Sequence, residues 1–189
     1  MIAILTSESE IGAIADLERQ FGANKGVRNR QISSWQGLIT IRNKTLVKKM
    51  IPLKRFEYYG SSGRKFAYAD FTRNMLLIKR ELFDTIKWEE KLMFAGEHLD
   101  FLLQIKNSKW KLVFTTASTH NHREDIEESF SNERYTQTRN SNNASSIKAQ
   151  VFKEKWGIER MRISRPISSY PNAILAKLTR TIANVMKEV

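Results

Sequence analysis

The chain of 189 residues contains no cysteine, which rules out a disulfide framework, a thiolate metal site and a thiol nucleophile. A reducing compartment fits that composition. No apolar run approaches the roughly 20 residues that a membrane-spanning helix needs, and the first residues show no secretory pattern, so a cytoplasmic protein is expected. Also missing are an HExxH zinc motif, a Walker A loop, a GxGxxG dinucleotide loop and a GxSxG nucleophile elbow. There is no internal repeat, no low-complexity tract and no long polybasic arm.

A hydrophobic content of 41% over 189 residues supports one buried core, as a single domain or a domain with an appendage. The 32 Lys and Arg outnumber 20 Asp and Glu and leave a formal charge of +12, which favours anionic partners: nucleic acid, acidic lipid surfaces or phosphorylated small molecules. The basic residues are scattered, as in "RNRQ", "VKKM", "IKRE" and "KEKW", which weighs against a dedicated nucleic-acid tail.

Along the chain, "LTSESEIGAIADLERQFG" reads as a short amphipathic helix from about residue 7. Ser7 and Glu10 stand at capping-box spacing, and Ile11, Ile14, Leu17 and Phe21 recur at helical intervals before Gly22. From Gly37 to Phe71 the character changes to short β-rich runs, "GLITIR", "TLVKKMI", "FEYYG" and "KFAYADF", with "GSSG" at 60–63 as a turn. "NMLLIKRELFDTI" reads as a buried strand running into a short helix, residues 97–107 as a helix, and "KWKLVFTT" (109–116) as a strand. Residues 123–146 are polar and read as a loop and boundary. "SSIKAQVFKEKWG" reads as a helix closed by Gly157, and residues 171–189 as a basic amphipathic helix that docks on the domain, on a partner or on an acidic membrane surface.

Two constellations carry titratable groups. Gly96 permits a tight turn, after which Glu97, His98 and Asp100 fall in the first turn of a helix, where the unpaired N–H groups favour negative charge. Ordinary helix capping explains acids there. A carboxylate or an imidazole at that place is also suited to accept a proton from an attacking hydroxyl. The second constellation is "STHNHRED", where His120 and His122 stand two apart after a strand and, if extended, share a face. Two histidines alone are a weak metal signal.

The order and spacing of "NMLLIKR", "KWEEKLMFAGEHLDFLL" and "KLVFTTASTHNH", within Tyr68 to His122, resemble the second half of the catalytic domain of family 2-like glycosyltransferases with the GT-A fold. The likeness is nearest to the β-1,4-N-acetylgalactosaminyltransferase-like branch and extends more loosely over residues 10–160. It implies an α/β fold, a mixed sheet flanked by helices, corresponding to the acceptor-side half of such an enzyme in residues 1–143. A C-terminal helical extension would occupy 144–189.

The implied reaction is inverting sugar transfer from a nucleotide-diphosphate donor to an acceptor hydroxyl, assisted by a divalent metal, usually manganese. In that resemblance Glu97 or His98 falls on the base position and Asp100 on an acidic position that holds the acceptor or the helix. His122, with His120 as second choice, matches the histidine that reaches the metal or diphosphate. Asp70 and Asn74 match the donor and acceptor pocket, and Trp88 and Gly96 lie beside the acceptor. The Asp-x-Asp pair that binds the donor in this family does not occur in the sequence, so a missing N-terminal half or a partner subunit is implied. Two other readings compete. One is a basic nucleic-acid-binding module, resting on the charge and on Trp35, Tyr58, Tyr59 and Tyr68 among Lys and Arg. The other is a non-catalytic partner subunit that docks through residues 171–189.

Overall fold

The structure, a computed structural model, describes residues 1–21, 32–33, 35–55, 57–60, 65–73, 75–92, 95–123, 137–138 and 141–164. It is an α/β fold of two mixed sheets with helices packed against them. In the larger sheet β1 (Ile11–Phe21) is central. On one side it pairs in parallel with β7 (Lys111–Arg123). On the other it pairs antiparallel with β2 (Ile32–Ser33) and with β6 (Leu77–Ile78), while β5 (Phe66–Ala69) runs antiparallel to β7.

The helix expected from Ser7 is therefore a strand, preceded by the short helix α1 (Ile2–Ser7). The reason is a bulge. The β1–β7 register shifts between Ile11 and Ala13, and a Cβ on Gly12 would stand 2.7 Å from Leu82 and 3.0 Å from Trp110, both in the main core. Ala13 faces that core as well, whereas Ile11 and Ile14 join Ile4, Leu5 and Val113 on the other face. A bulged strand buried on both faces thus places large apolar residues three apart and imitates a helical period.

The second sheet holds β3 (Gly37–Arg42), β4 (Thr45–Met50) and β8 (Arg160–Ser164). β3 and β4 form a hairpin whose two turn residues, Asn43 and Lys44, have φ of 46° and 58°, the mirror-type turn that matches strand twist. β8 lies parallel to β4. Gly37 stitches the sheets together: its N–H donates to the Phe71 carbonyl at 3.1 Å, and its carbonyl accepts from Asp70 N–H at 2.8 Å.

Helices α2 (Glu97–Lys106) and α3 (Asn142–Trp156) bury Leu99, Phe101, Leu103, Val151 and Phe152 with Ile39, Leu46, Leu112 and Phe114 in one core. Ser141, in the stretch read as a loop, caps α3 by accepting from Ala144 N–H, and Gly157 at φ 64° closes the helix, as the sequence suggests. Residues 144–164, expected as part of a C-terminal helical extension, supply core residues and a strand to the second sheet.

The strand expected at "NMLLIKR" is only two residues long, at the sheet edge, with Leu77 exposed. It ends because the chain tucks into a 3₁₀ turn at Arg80–Asp84 that buries Leu82. The "GSSG" turn beyond Gly60, most of the 123–146 loop and the helix at 171–189 lie outside the described residues. Among the described residues no helix is long and apolar enough to cross a membrane.

Candidate functional site: a basic cleft at the start of α2

Gly96 stands before α2 with φ 95°, a left-handed conformation that glycine adopts without steric cost. A Cβ there would also press to 3.0 Å from Phe152 and 3.2 Å from Lys148, so glycine allows α3 to approach closely. The turn delivers Glu97 and His98 to the wall of a cleft of about 320 Å³, shared with Leu46 and Lys48 of β4, Lys148 of α3 and Arg162 of β8. Glu97 Oε1 is 3.4 Å from His98 Nε2. The second oxygen, Oε2, is shielded from solvent and has no hydrogen-bond partner among the described residues. Trp88, 44% exposed, stacks on Phe101 with ring centroids 4.3 Å apart and meets the edge of His98 at 5.5 Å.

Three basic groups line the cleft, Lys48 and Lys148 partly buried and Arg162 exposed. Lys48, Lys148 and Arg162 make no ion pair among the described residues. Burial, and then the charge of Lys148, hold the Lys48 ammonium below its ordinary pKa. Lys48 does sit over the Phe71 ring, 5.6 Å from its centroid.

Asp100, expected to act with Glu97 and His98, is enclosed instead, with no solvent exposure. Its Oδ1 accepts from Trp156 Nε1 at 2.7 Å, and Oδ2 accepts from Lys155 Nζ at 2.9 Å and Gln104 Nε2 at 2.7 Å. Three donors from two helices saturate the carboxylate, so it holds α2 against the end of α3 and does not face the cleft.

Asp70 is likewise spent on the fold. Its Oδ2 accepts from Ile39 N–H at 2.7 Å and Lys106 Nζ at 2.8 Å. It lines a different cavity with Glu10, Tyr68 and Trp110, beside the C-terminal half of α2. There the Tyr68 hydroxyl donates to Glu10 at 2.6 Å, which together with burial pushes its pKa up to about 12. Asn74 lies outside the described residues.

His120 does not reach the cleft lining. Its Nδ1 is 2.6 Å from Asp16 Oδ1, and its Nε2 is 3.7 Å from Glu18 Oε2, with Arg73 on the other Glu18 oxygen at 3.4 Å. Asp16 and Glu18 flank Leu17, which packs on the main core, so strand alternation turns both carboxylates to the face away from α2. Nδ1 is thus bonded to Asp16, whereas Nε2 is buried, near Glu18, and makes no hydrogen bond among the described residues. Among the described residues no group of three or more His, Asp or Glu could hold a metal ion. The backbone of His122 pairs with Gln20, and its side chain lies outside the described part.

The sequence reading missed Lys48, Lys148 and Arg162, because only the β4–β8 pairing and the approach of α3 bring positions so far apart together. It also missed Asp16 and Glu18, whose spacing of two would have placed them on one face had the segment been read as a strand. No protein-family model, no curated protein and no solved structure matches the chain.

Proposed function

We propose that the chain is the acceptor-side part of an inverting glycosyltransferase, which moves a sugar from a nucleotide-diphosphate donor to a hydroxyl of a carbohydrate acceptor. The observation that carries this reading is the Glu97 carboxylate on the wall of a cleft, beside the His98 imidazole that meets the exposed indole of Trp88. As the acceptor oxygen bonds to the anomeric carbon and the bond to the diphosphate breaks, Glu97 takes the hydroxyl proton. His98, at Glu97 Oε1, orients the carboxylate. The open face of Trp88 offers an apolar platform for a sugar ring.

In the implied family a divalent cation, usually manganese, would supply charge neutralisation for the departing diphosphate. The described residues do not fit such an ion, since His120 Nδ1 is held by Asp16 and no group of three His, Asp or Glu among them could hold a metal. With no Asp-x-Asp pair in the sequence, donor and metal ligands are assigned to a partner polypeptide or a further segment.

The test is transfer from labelled nucleotide sugars to a carbohydrate panel with manganese, comparing the parent chain with Glu97→Gln combined with His98→Asn. The double variant should keep the parent melting temperature and lose transfer. Undiminished transfer by it would retire Glu97 and His98 as the proton-accepting pair, and no transfer by the parent would retire the reading. Salt-sensitive binding to single-stranded nucleic acid with no response to nucleotide sugar would replace it with a basic binding module.

A further inference from the structure

The charge of the cleft is out of proportion to a neutral sugar. Lys48, Lys148 and Arg162 come from a strand, a helix and a second strand, and face one carboxylate, Glu97. Lys106 and Lys155 are paired with Asp70 and Asp100, whereas Lys48, Lys148 and Arg162 make no ion pair among the described residues. Lys48 and Lys148 are each only partly exposed and repel one another. Like charges held around a cavity are stabilised when an anion sits between them.

We propose that the cleft binds a small sugar acceptor carrying its own oxyanion, a phosphate or a carboxylate, with Lys48, Lys148 and Arg162 gripping the oxyanion while Glu97 faces a hydroxyl. The cleft, at about 320 Å³, suits one acidic monosaccharide unit. The donor's diphosphate is the rival anion. The titration below separates the two, because uridine diphosphate and the acidic sugars are compared at the same lysines. The role of the hydroxyl rests on the transferase reading; the oxyanion grip does not.

The experiment is calorimetric titration of the full chain with glucose, glucuronate, glucose 6-phosphate and uridine diphosphate. Both acidic sugars, or one of them, should bind at least about tenfold more tightly than glucose, and the tighter of the two identifies the oxyanion. Affinity should fall as salt is raised, a readout on the unmodified protein that survives any variant's failure to fold. Lys148→Met and Lys48→Met should each weaken the acidic sugar about tenfold and leave glucose unchanged. Equal affinity for all three sugars, or no salt dependence, overturns the proposal. So does uridine diphosphate that displaces the acidic sugar and loses affinity with Lys148→Met. If acidic sugars bind as expected while the parent protein transfers sugar to none of them, the transferase reading fails and the oxyanion site stands.

Discussion

Replacing Asp100 by asparagine changes one atom and tests whether this carboxylate serves the reaction or the scaffold. As it stands, Oδ2 accepts from Lys155 and Gln104 while Oδ1 accepts from Trp156. An amide presents one oxygen. If it faces Trp156, its NH₂ group meets two donors; if it is flipped, the buried indole N–H loses its acceptor. Either way the charge-assisted bond from Lys155 is weakened and at least one buried donor is unmatched. Hydrogen bonds to charged groups contribute about 1.5–3 kcal/mol, which sets the expected loss for Asp100→Asn. Asp100→Ala strips all three donors and leaves Lys155 only Glu89 at 3.3 Å, so a cost of about 3–5 kcal/mol is expected.

For a chain of this size 1 kcal/mol corresponds to about 2–4 °C in melting temperature, so Asn should lower it by about 3–12 °C and Ala by about 6–20 °C. Circular dichroism melts and urea titration provide the measurement. A double-mutant cycle of Asp100→Asn with Trp156→Phe should return a coupling of about 1 kcal/mol, since the two share one hydrogen bond. The reasoning is refuted if Asp100→Asn melts with the parent protein, because the carboxylate would then not anchor α2 to α3.

Three further perturbations probe other parts of the fold. Among glycine-to-alanine changes, Gly37 should be the most damaging, since its Cβ would meet the Lys49 carbonyl at 2.0 Å and break the β3–β4 register. Gly96 should follow at about 1–3 kcal/mol, and Gly157, with open space around it, should cost about 1 kcal/mol; a different order in thermal melts contradicts the packing described. Tyr68 keeps its proton to about pH 12 in the folded chain, whereas the unfolded chain releases it near the ordinary phenol value of about 10. The folded state then binds more protons between those values, so the stability this bond contributes is full below about pH 10 and lost by about pH 12. Glu10→Gln should bring the phenolate absorbance midpoint down, and no movement would refute the bond. His120→Leu leaves Asp16 and Glu18 buried without their imidazole and should cost about 3–5 kcal/mol in urea unfolding. Manganese that raises the melting temperature of the parent but not of His120→Leu would instead make the ring a ligand.

Much of the fold is legible where local chemistry decides it. The helix at 97–106, its glycine turn, the Gly157 cap and the β-rich run from Gly37 follow from residues a few positions apart. The failures share one cause, structure set by distant partners. β1 is a strand because β7, nearly a hundred residues later, pairs along its length, and its bulge disguises the period by which a strand is recognised. Asp100 reads as a helix-start acid, and only the position of Trp156 and Lys155 shows that it is an anchor.

The same distinction separates informative charge from the rest. A net +12 is by itself a statement about solubility and anionic partners, with no address. The structure sorts the cations by what they touch. Lys44 is matched with Glu159, Lys106 with Asp70, and Lys155 with Asp100 and Glu89. Such groups are explained by the interactions they make within the chain. Lys48, held below its ordinary pKa by burial and by Lys148, has the Phe71 ring and no counter-ion among the described residues. A cost of that kind, on a cleft that Glu97 also lines, is a reason to look for a ligand offering both an oxyanion and a hydroxyl.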